Sequence, residues 1–401
     1  MLKKAAKILS KSLAALLLIF LLALLVTSVT PIYDFAEAKP FSGPDIFNPY
    51  KRAETDTLQY WKRANFHTHT RVKGPLNECE YWPAETDERY RRFGYDIVTF
   101  SNHNELTVHP YDSTLQVNVY EHGINLFKYH KLVFGCRSVN RFDHLIPFFA
   151  SQRQFQLHLL GRESDFIQLN HPLRTNFTSK RIMQRLEGYR IMELDSGKST
   201  ENEYWDWALS AGRYSFGLAN DDLHHPDRSN CIAVRCNFLH TPSARYGDLK
   251  ATLLRGDYYA MRVPDYGHGD WETKYARNRR LPAIRTIGLW GDTIRISVSQ
   301  RADSIKVTGQ NHATLSLVRD TTAAEYVMKS DDPYARITAY FPDGEVIYSN
   351  PFARYDAAVS ATPYAEPSYR VHIPQTILFN LLIVVLCAGV ILVFRKVVVK
   401  W

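Results

Sequence analysis

The chain has 401 residues, 45% of them hydrophobic, 13% aromatic and 22% charged, a balance that supports a large core and excludes an intrinsically disordered protein. That length exceeds one ordinary single-core domain and predicts two folded units once the terminal segments are set aside. The formal charge of +8 argues for no nucleic-acid partner, because several of the positive residues flank the two apolar ends of the chain and no basic groove is visible between them.

Residues 1–30 read as a transmembrane anchor or signal segment. Leu13 to Val26 is apolar throughout and follows Lys3, Lys4, Lys7 and Lys11. Ala36-Glu37-Ala38 has the form of a signal cleavage site but sits well beyond the apolar stretch, which favours an uncleaved anchor. At the other end, residues 375–396 predict a second transmembrane helix: Ile377 to Phe394 carries no charge and only Asn380 as a strongly polar residue. Arg395, Lys396 and Lys400 follow it. With lysines and arginines outside both apolar runs, the positive-inside rule places both termini in the cytoplasm and the central part on the periplasmic or outer face, with the lipid bilayer as a partner.

Residues 31–60, rich in Pro, Tyr, Asp and Gly, read as an irregular tether. Residues 61–280 alternate short apolar runs with longer polar, helix-favouring stretches, which predicts βα units around a parallel sheet or barrel. Residues 281–372 turn to a period of two, as in Ile294-Arg295-Ile296-Ser297-Val298, and predict a small all-β domain with a supporting role. Of the five cysteines, Cys79, Cys136, Cys231 and Cys236 lie outside the apolar ends; Cys231 and Cys236 are close enough to pair, and free core cysteines are an equal alternative.

Most of the chemistry-bearing residues follow apolar runs. His67-Thr68-His69 comes after Ala64-Asn65-Phe66, and residues two apart on extended chain point to one side. Asp96 to Phe100 leads into Ser101-Asn102-His103, and Val117 to Tyr120 leads into Glu121. His130 precedes Leu132-Val133-Phe134. Phe166 to Leu169 leads into Asn170-His171-Pro172, and Ser215 to Leu218 into Asp221-Asp222-Leu223-His224. In parallel α/β folds the side chains after the strand ends converge on one rim, so these scattered residues predict one cluster. Imidazoles joined by carboxylates suit Zn, Mn or Fe better than Mg or Ca, and more than four ligands implies two or three ions.

In this order the residues resemble the polymerase and histidinol phosphatase (PHP) superfamily, and within it the CehA/McbA-type metallohydrolases, over about residues 60 to 265. The resemblance implies a distorted (β/α)7 barrel with up to three metals at its carboxyl rim. Carried over, His67, His69, Asp222 and a bridging Glu121 form one site. Glu121, His130 and His171 form a second, with His122 competing for the place of His130, and His103 and His224 belong to a third. Two features depart from the family: Asn102 stands where it commonly has an aspartate beside the histidine of the third site, and no histidine follows shortly after His69, where Lys73, Gly74 and Pro75 stand with Glu78 and Glu80 beyond. The implied reaction is phosphoester hydrolysis by a metal-bound hydroxide, with Arg174 and His224 as catalytic residues and the charge of Arg174 stabilising the phosphoryl oxygens. Lys73 is a further source of charge, while Asp195, Asp221 and His225 read as supporting or solvated. A small molecule, lipid or glycan phosphoester is the expected substrate class. The alternatives are carboxyl or carbamate ester hydrolysis on the same site, and a non-catalytic membrane scaffold with a degenerate metal site.

Overall fold

Rich in leucine and alanine and free of glycine and proline, the first apolar segment forms α1 (Leu2–Val26) in the computed structural model, which describes residues 2–50, 61–74, 77–196, 199–200 and 202–399. Residues 51–60 of the expected tether and Pro75 lie outside the described residues. After α1 come two short strands, β1 (Tyr33–Asp34) and β2 (Asp45–Phe47). The tether shows no local period because their partners come from the opposite end of the chain.

The next stretch runs β3 (Trp61–Asn65), α2 (Pro83–Arg92), β4 (Ile97–Val98), β5 (Val119–His122), β6 (Lys131–Phe134), α3 (Ala150–Gly161) and β7 (Phe166–Leu169). It continues with α4 (Lys180–Met183), β8 (Ile191–Ser196), β9 (Ser199–Thr200), α5 (Asn202–Leu209) and β10 (Phe216–Asn220). Then follow β11 (Arg235–His240), α6 (Tyr246–Arg255), β12 (Tyr258–Arg262) and α7 (Trp271–Asn278). The period-two region supplies β13 (Ile284–Trp290), β14 (Thr293–Thr308), β15 (Thr314–Val327), β16 (Tyr334–Tyr340), β17 (Val346–Ser349) and β18 (Phe352–Tyr355). The chain closes with β19 (Arg370–Val371) and α8 (Ile373–Phe394).

The architecture is mixed α/β. One sheet has the order β10-β8-β7-β6-β5, with β9 on β8; a second has the order β13-β14-β16-β17-β12-β11-β3-β4, with β15, β18 and β2 attached. Parallel pairing occurs at β3/β4, β7/β8 and β8/β10, whereas β5/β6 and β6/β7 are antiparallel. The two sheets meet through single parallel bridges, His103 to Glu121 and Thr68 to Leu223. No continuous ladder closes the expected (β/α)7 barrel among the described residues; β4 has only two residues and cannot sustain one. Both bridges lie at strand ends, so the segments carrying His67, His103, Glu121 and Asp222 are drawn to one place.

The sheet of the period-two region does not stop at residue 281: β17 pairs with β12, and β12 with β11, which flanks β3. A buried ion pair ties the same regions from the helical side. Arg336 on β16 gives two hydrogen bonds to Asp206 on α5, at 2.8 and 2.6 Å, and the Tyr334 hydroxyl donates a third at 3.1 Å. No disulfide joins any of the five cysteines.

Helices α1 and α8 are long and apolar enough to cross a membrane by length and composition. Asn380, the polar interruption of α8, is satisfied by Thr30 just beyond α1: its oxygen accepts the Thr30 N–H at 3.2 Å and its amide donates to the Thr30 carbonyl at 3.1 Å. Antiparallel pairing of β1 with β19 and a bond from the Ile32 N–H to the Thr376 hydroxyl (2.8 Å) complete a clasp that makes both helices leave the domain together.

Candidate metal centre

Strand β3 ends in the extended His67-Thr68-His69, and backbone bonds on both sides keep it extended: His69 N–H donates to the Leu223 carbonyl (2.9 Å) and Ser101 N–H to the Thr68 carbonyl (2.9 Å). Both imidazoles therefore face one way. Nε2 of His67 lies 3.2 Å from Glu121 Oε2 and 3.1 Å from Asp222 Oδ1; Nε2 of His69 lies 3.2 and 3.3 Å from the same two oxygens. These four side chains are buried, and their donor atoms lie within 4.8 Å of one another.

Glu121, on β5 and 1% exposed, divides its two oxygens between neighbours. Oε2 faces His67, His69 and Nε2 of His103 (3.1 Å), while Oε1 faces Nδ1 of His130 (3.2 Å) and Nε2 of His171 (3.3 Å). Asn170 donates to Oε1 at 2.8 Å and holds the carboxylate in place. Asp222 and His171 occupy positive-φ backbone, at 49° and 26°. Such conformations are costly for non-glycine residues and concentrate at functional sites.

His224 Nε2 lies 3.3 Å from Asp222 Oδ1, and its ring stacks on that of His69 at 4.3 Å. Glu78 completes this side, 3.1 Å from His103 Nε2, 3.8 Å from His69 Nδ1 and 3.9 Å from His224 Nδ1. It thus stands in the stretch after His69 where the family resemblance led to the expectation of a histidine. Arg174, three residues after His171, is hydrogen-bonded through a guanidinium nitrogen to Asp222 Oδ2. All eight residues read as ligands meet in this centre.

Glu193 is a member that the sequence reading missed. It sits on β8 with no exposure, accepts Nδ1 of His67 at 2.9 Å and takes the His171 N–H at 3.0 Å and the Asn220 amide at 3.1 Å. A carboxylate behind one imidazole nitrogen fixes the tautomer and turns the lone pair of the other nitrogen inward. The available signal was a glutamate inside the otherwise apolar run Ile191-Met192-Glu193-Leu194.

Other residues lie elsewhere. His122, the competitor of His130, points its Nε2 at the Phe142 carbonyl (2.8 Å). Asn102 accepts the Thr70 N–H (2.7 Å) and donates to the Thr70 and Thr107 hydroxyls (2.8 and 2.7 Å), clamping a loop instead of orienting His103. Asp221 caps the backbone N–H groups of Ala233, Val234 and Arg235, and Asp195 is held by Arg235, Arg262 and Tyr348. His225 and Lys73 are exposed.

The electrostatics call for positive charge. Burial opposes ionisation of Glu121 and Asp222, yet the surrounding imidazoles, His67 foremost, hold both well below the carboxylate range. Burial likewise opposes a charge on His67 and His69, but the acids outweigh it and push His69 up to about 9. Glu78 is drawn down to about 2, chiefly by its hydrogen bond to His103. Nε2 of both His67 and His69 is buried without a hydrogen-bond partner, aimed at carboxylate oxygens. Imidazole lone pairs and carboxylates converging on shared points, with no lysine or arginine bonded to Glu121 or Glu193 among the described residues, form a donor set that fits divalent metal cations.

No protein-family model and no curated protein matches the chain. Two solved structures show similarity. A two-domain protein from Bacteroides vulgatus, described as containing a predicted PHP-like metal-dependent phosphoesterase, is 14% identical over 79% of this chain and 100% of its own, with a TM-score of 0.39. A lesion-specific endonuclease from Pyrococcus furiosus is 12% identical over 48% of this chain and 56% of its own, with a TM-score of 0.32. Similarity at this level assigns neither a fold family nor an activity, and the chemistry of the site rests on its own geometry.

Proposed function

We propose that this protein is a PHP-type metal-dependent phosphoesterase held at a membrane by its two terminal helices, with both termini cytoplasmic and the metal centre on the other face. The observation that carries the reading is Glu121, whose two oxygens face different sets of imidazoles and so suit a carboxylate bridging neighbouring ions. His67, His69, Asp222 and Glu121 would hold one ion, and Glu121, His130 and His171 a second. His103 and His224 would serve a third, with Glu78 in the place of the family's missing histidine. The interrupted ring of β3, β4, β5, β6, β7, β8 and β10 is read as an opened form of the family barrel.

Ions bound there, Zn or Mn foremost and Fe as a further candidate, would supply Lewis acidity and an ionised water at neutral pH. The chain's own residues do the rest. Arg174 and His224, with side chains 20% and 21% exposed, are more open than the other residues of the centre apart from Glu78, and both touch Asp222; they mark the mouth where substrate arrives. A guanidinium has five N–H donors, so the bond to Asp222 leaves others free for phosphoryl oxygens. His224, at this mouth, would hydrogen-bond the departing oxygen. Glu193 keeps His67 turned inward throughout.

The test is elemental analysis of the detergent-purified full chain, alongside hydrolysis of a chromogenic phosphodiester, a phosphomonoester and a carboxyl ester. Two or more bound ions and phosphoester turnover, both lost in Glu121→Ala, are expected. A metal-free and inactive wild type would overturn the reading, and turnover of the carboxyl ester alone would replace phosphorus by carbon as the centre attacked.

A further inference from the structure

Exposed apolar side chains on a soluble face are normally scattered. Here they gather between the metal centre and the clasp of the two terminal helices. Phe177 (67% exposed), Phe149 (51%) and Phe148 (47%) belong to one group, with Phe148 stacking edge-on against Phe149 at 5.3 Å and packing on Phe177 at 5.5 Å. Leu126 and Leu173 extend it and are also exposed.

Two loops carry Leu126, Leu173 and Phe177, and both begin or end in the centre; Phe148 and Phe149 lie on the segment that leads from β6 into α3. The loop after β5 runs through Leu126 to His130, and the loop after β7 runs from His171 through Leu173 and Arg174 to Phe177. Asn176 N–H donates to the Phe127 carbonyl (2.8 Å), and the Thr175 hydroxyl to the Lys128 carbonyl (2.9 Å), so the two loops are tied to each other. The patch is continuous with the helices on its other side. The Phe149 ring packs against Phe379 of α8 at 6.2 Å, Leu145 N–H donates to the Thr27 hydroxyl (3.3 Å), and Tyr33 N–H donates to the Ser151 hydroxyl (3.1 Å). Exposed Lys128, Lys180 and Arg181 stand on the same loops and on α4 directly after them. Aromatic side chains beside lysines and arginines are the pattern of a surface that sits in the head-group region of a bilayer.

We infer that this patch is seated in the leaflet that the two helices enter, so that the mouth marked by Arg174 opens onto the membrane surface and the substrate is a phosphoester of a membrane lipid. The inference rests on the phosphoesterase reading above and deepens it. In the reaction, a water oxygen bonds to phosphorus, the bond from phosphorus to the lipid's alcohol oxygen breaks, and that oxygen takes up the proton released by the water.

Two measurements test it on the full chain in phosphatidylcholine nanodiscs. First, Phe177→Trp is compared with Val327→Trp, an exposed position on β15, for fluorescence quenching by brominated lipid, each against the parent with its seven tryptophans. Quenching at 177 well beyond that at 327 is expected; equal quenching overturns the proposal whatever the activity. Second, Phe148→Ser/Phe177→Ser is assayed on nanodiscs containing phosphatidic acid and phosphatidylglycerol, and separately on soluble nitrophenyl mono- and diesters. Lipid turnover should fall by about tenfold or more while soluble turnover stays within about twofold. An equal effect on both, or on neither, overturns the lipid substrate. If metal-loaded wild type turns over neither soluble nor lipid esters, the phosphoesterase reading falls and the lipid substrate with it, while the quenching result still decides where the patch sits.

Discussion

Glu193 illustrates how a side chain that need not touch an ion can govern a metal centre. Its bond to His67 Nδ1 selects the tautomer whose Nε2 faces Glu121 and Asp222. In Glu193→Gln the amide matches the shape but can present either a donor or an acceptor to Nδ1, so metal affinity is expected to fall by about 10- to 100-fold. Competition of wild type and variant against a calibrated chelator measures this, with thermal unfolding as the check on folding; unchanged affinity would remove Glu193 from the positioning role. Most residues of the centre were legible because they follow an apolar run, and strand ends converge; His130 instead precedes its run. Glu193 was not, because it lies inside its strand and acts on a ring brought from β3. Asn102 was visible as a departure from the family pattern, but its use as a loop clamp on Thr70 and Thr107 depends on contacts that no spacing reveals.

At the level of elements, the ion pair between α5 and β16 is the clearest source of a pH effect. Burial by itself would raise the Asp206 carboxyl, but Arg336 foremost, with His312 beside it, outweighs burial and holds the group below its ordinary value. A lowered folded-state value means that the stabilisation is complete above the unfolded carboxyl value of about 3.9 and is lost as pH falls through the folded value. Asp206→Asn leaves Arg336 buried without its charge partner and is expected to cost about 3–5 kcal/mol at neutral pH. Urea unfolding at steps from neutrality down to about pH 3 should show the gap between wild type and variant narrowing at the acid end; a constant gap would exclude the ion pair as its origin. Strand β16, which carries Arg336, was legible from its period of two. Its partners in the sheet were not, because period two reports that a strand has an inner face and says nothing about which neighbour it pairs with.

For the whole molecule, ions that bind only the folded chain add to its stability by mass action. At free ion about 1,000 times the dissociation constant this amounts to about 4 kcal/mol. Stripping the detergent-purified protein with a chelator should therefore lower its melting temperature, and Glu121→Ala should melt low with or without the chelator. Equal melting of stripped and loaded wild type would argue against tightly held ions. The mixed α/β class and the two apolar helices could be read from the alternation of runs and from run length, whereas the meeting of the two sheets could not: it depends on two single bridges between short segments, which leave no periodic trace.

The clasp between Thr30 and Asn380 also sets an order of events in the life of the chain. Its two halves stand 350 positions apart, so the first helix is complete long before its partner exists. A folded domain brings β1 and β19 within reach at little further entropic cost; an unfolded one leaves the helices to diffuse independently. Helix association in this protein therefore follows the folding of the domain, and a chain that fails to fold is distinguishable by two terminal helices that have parted.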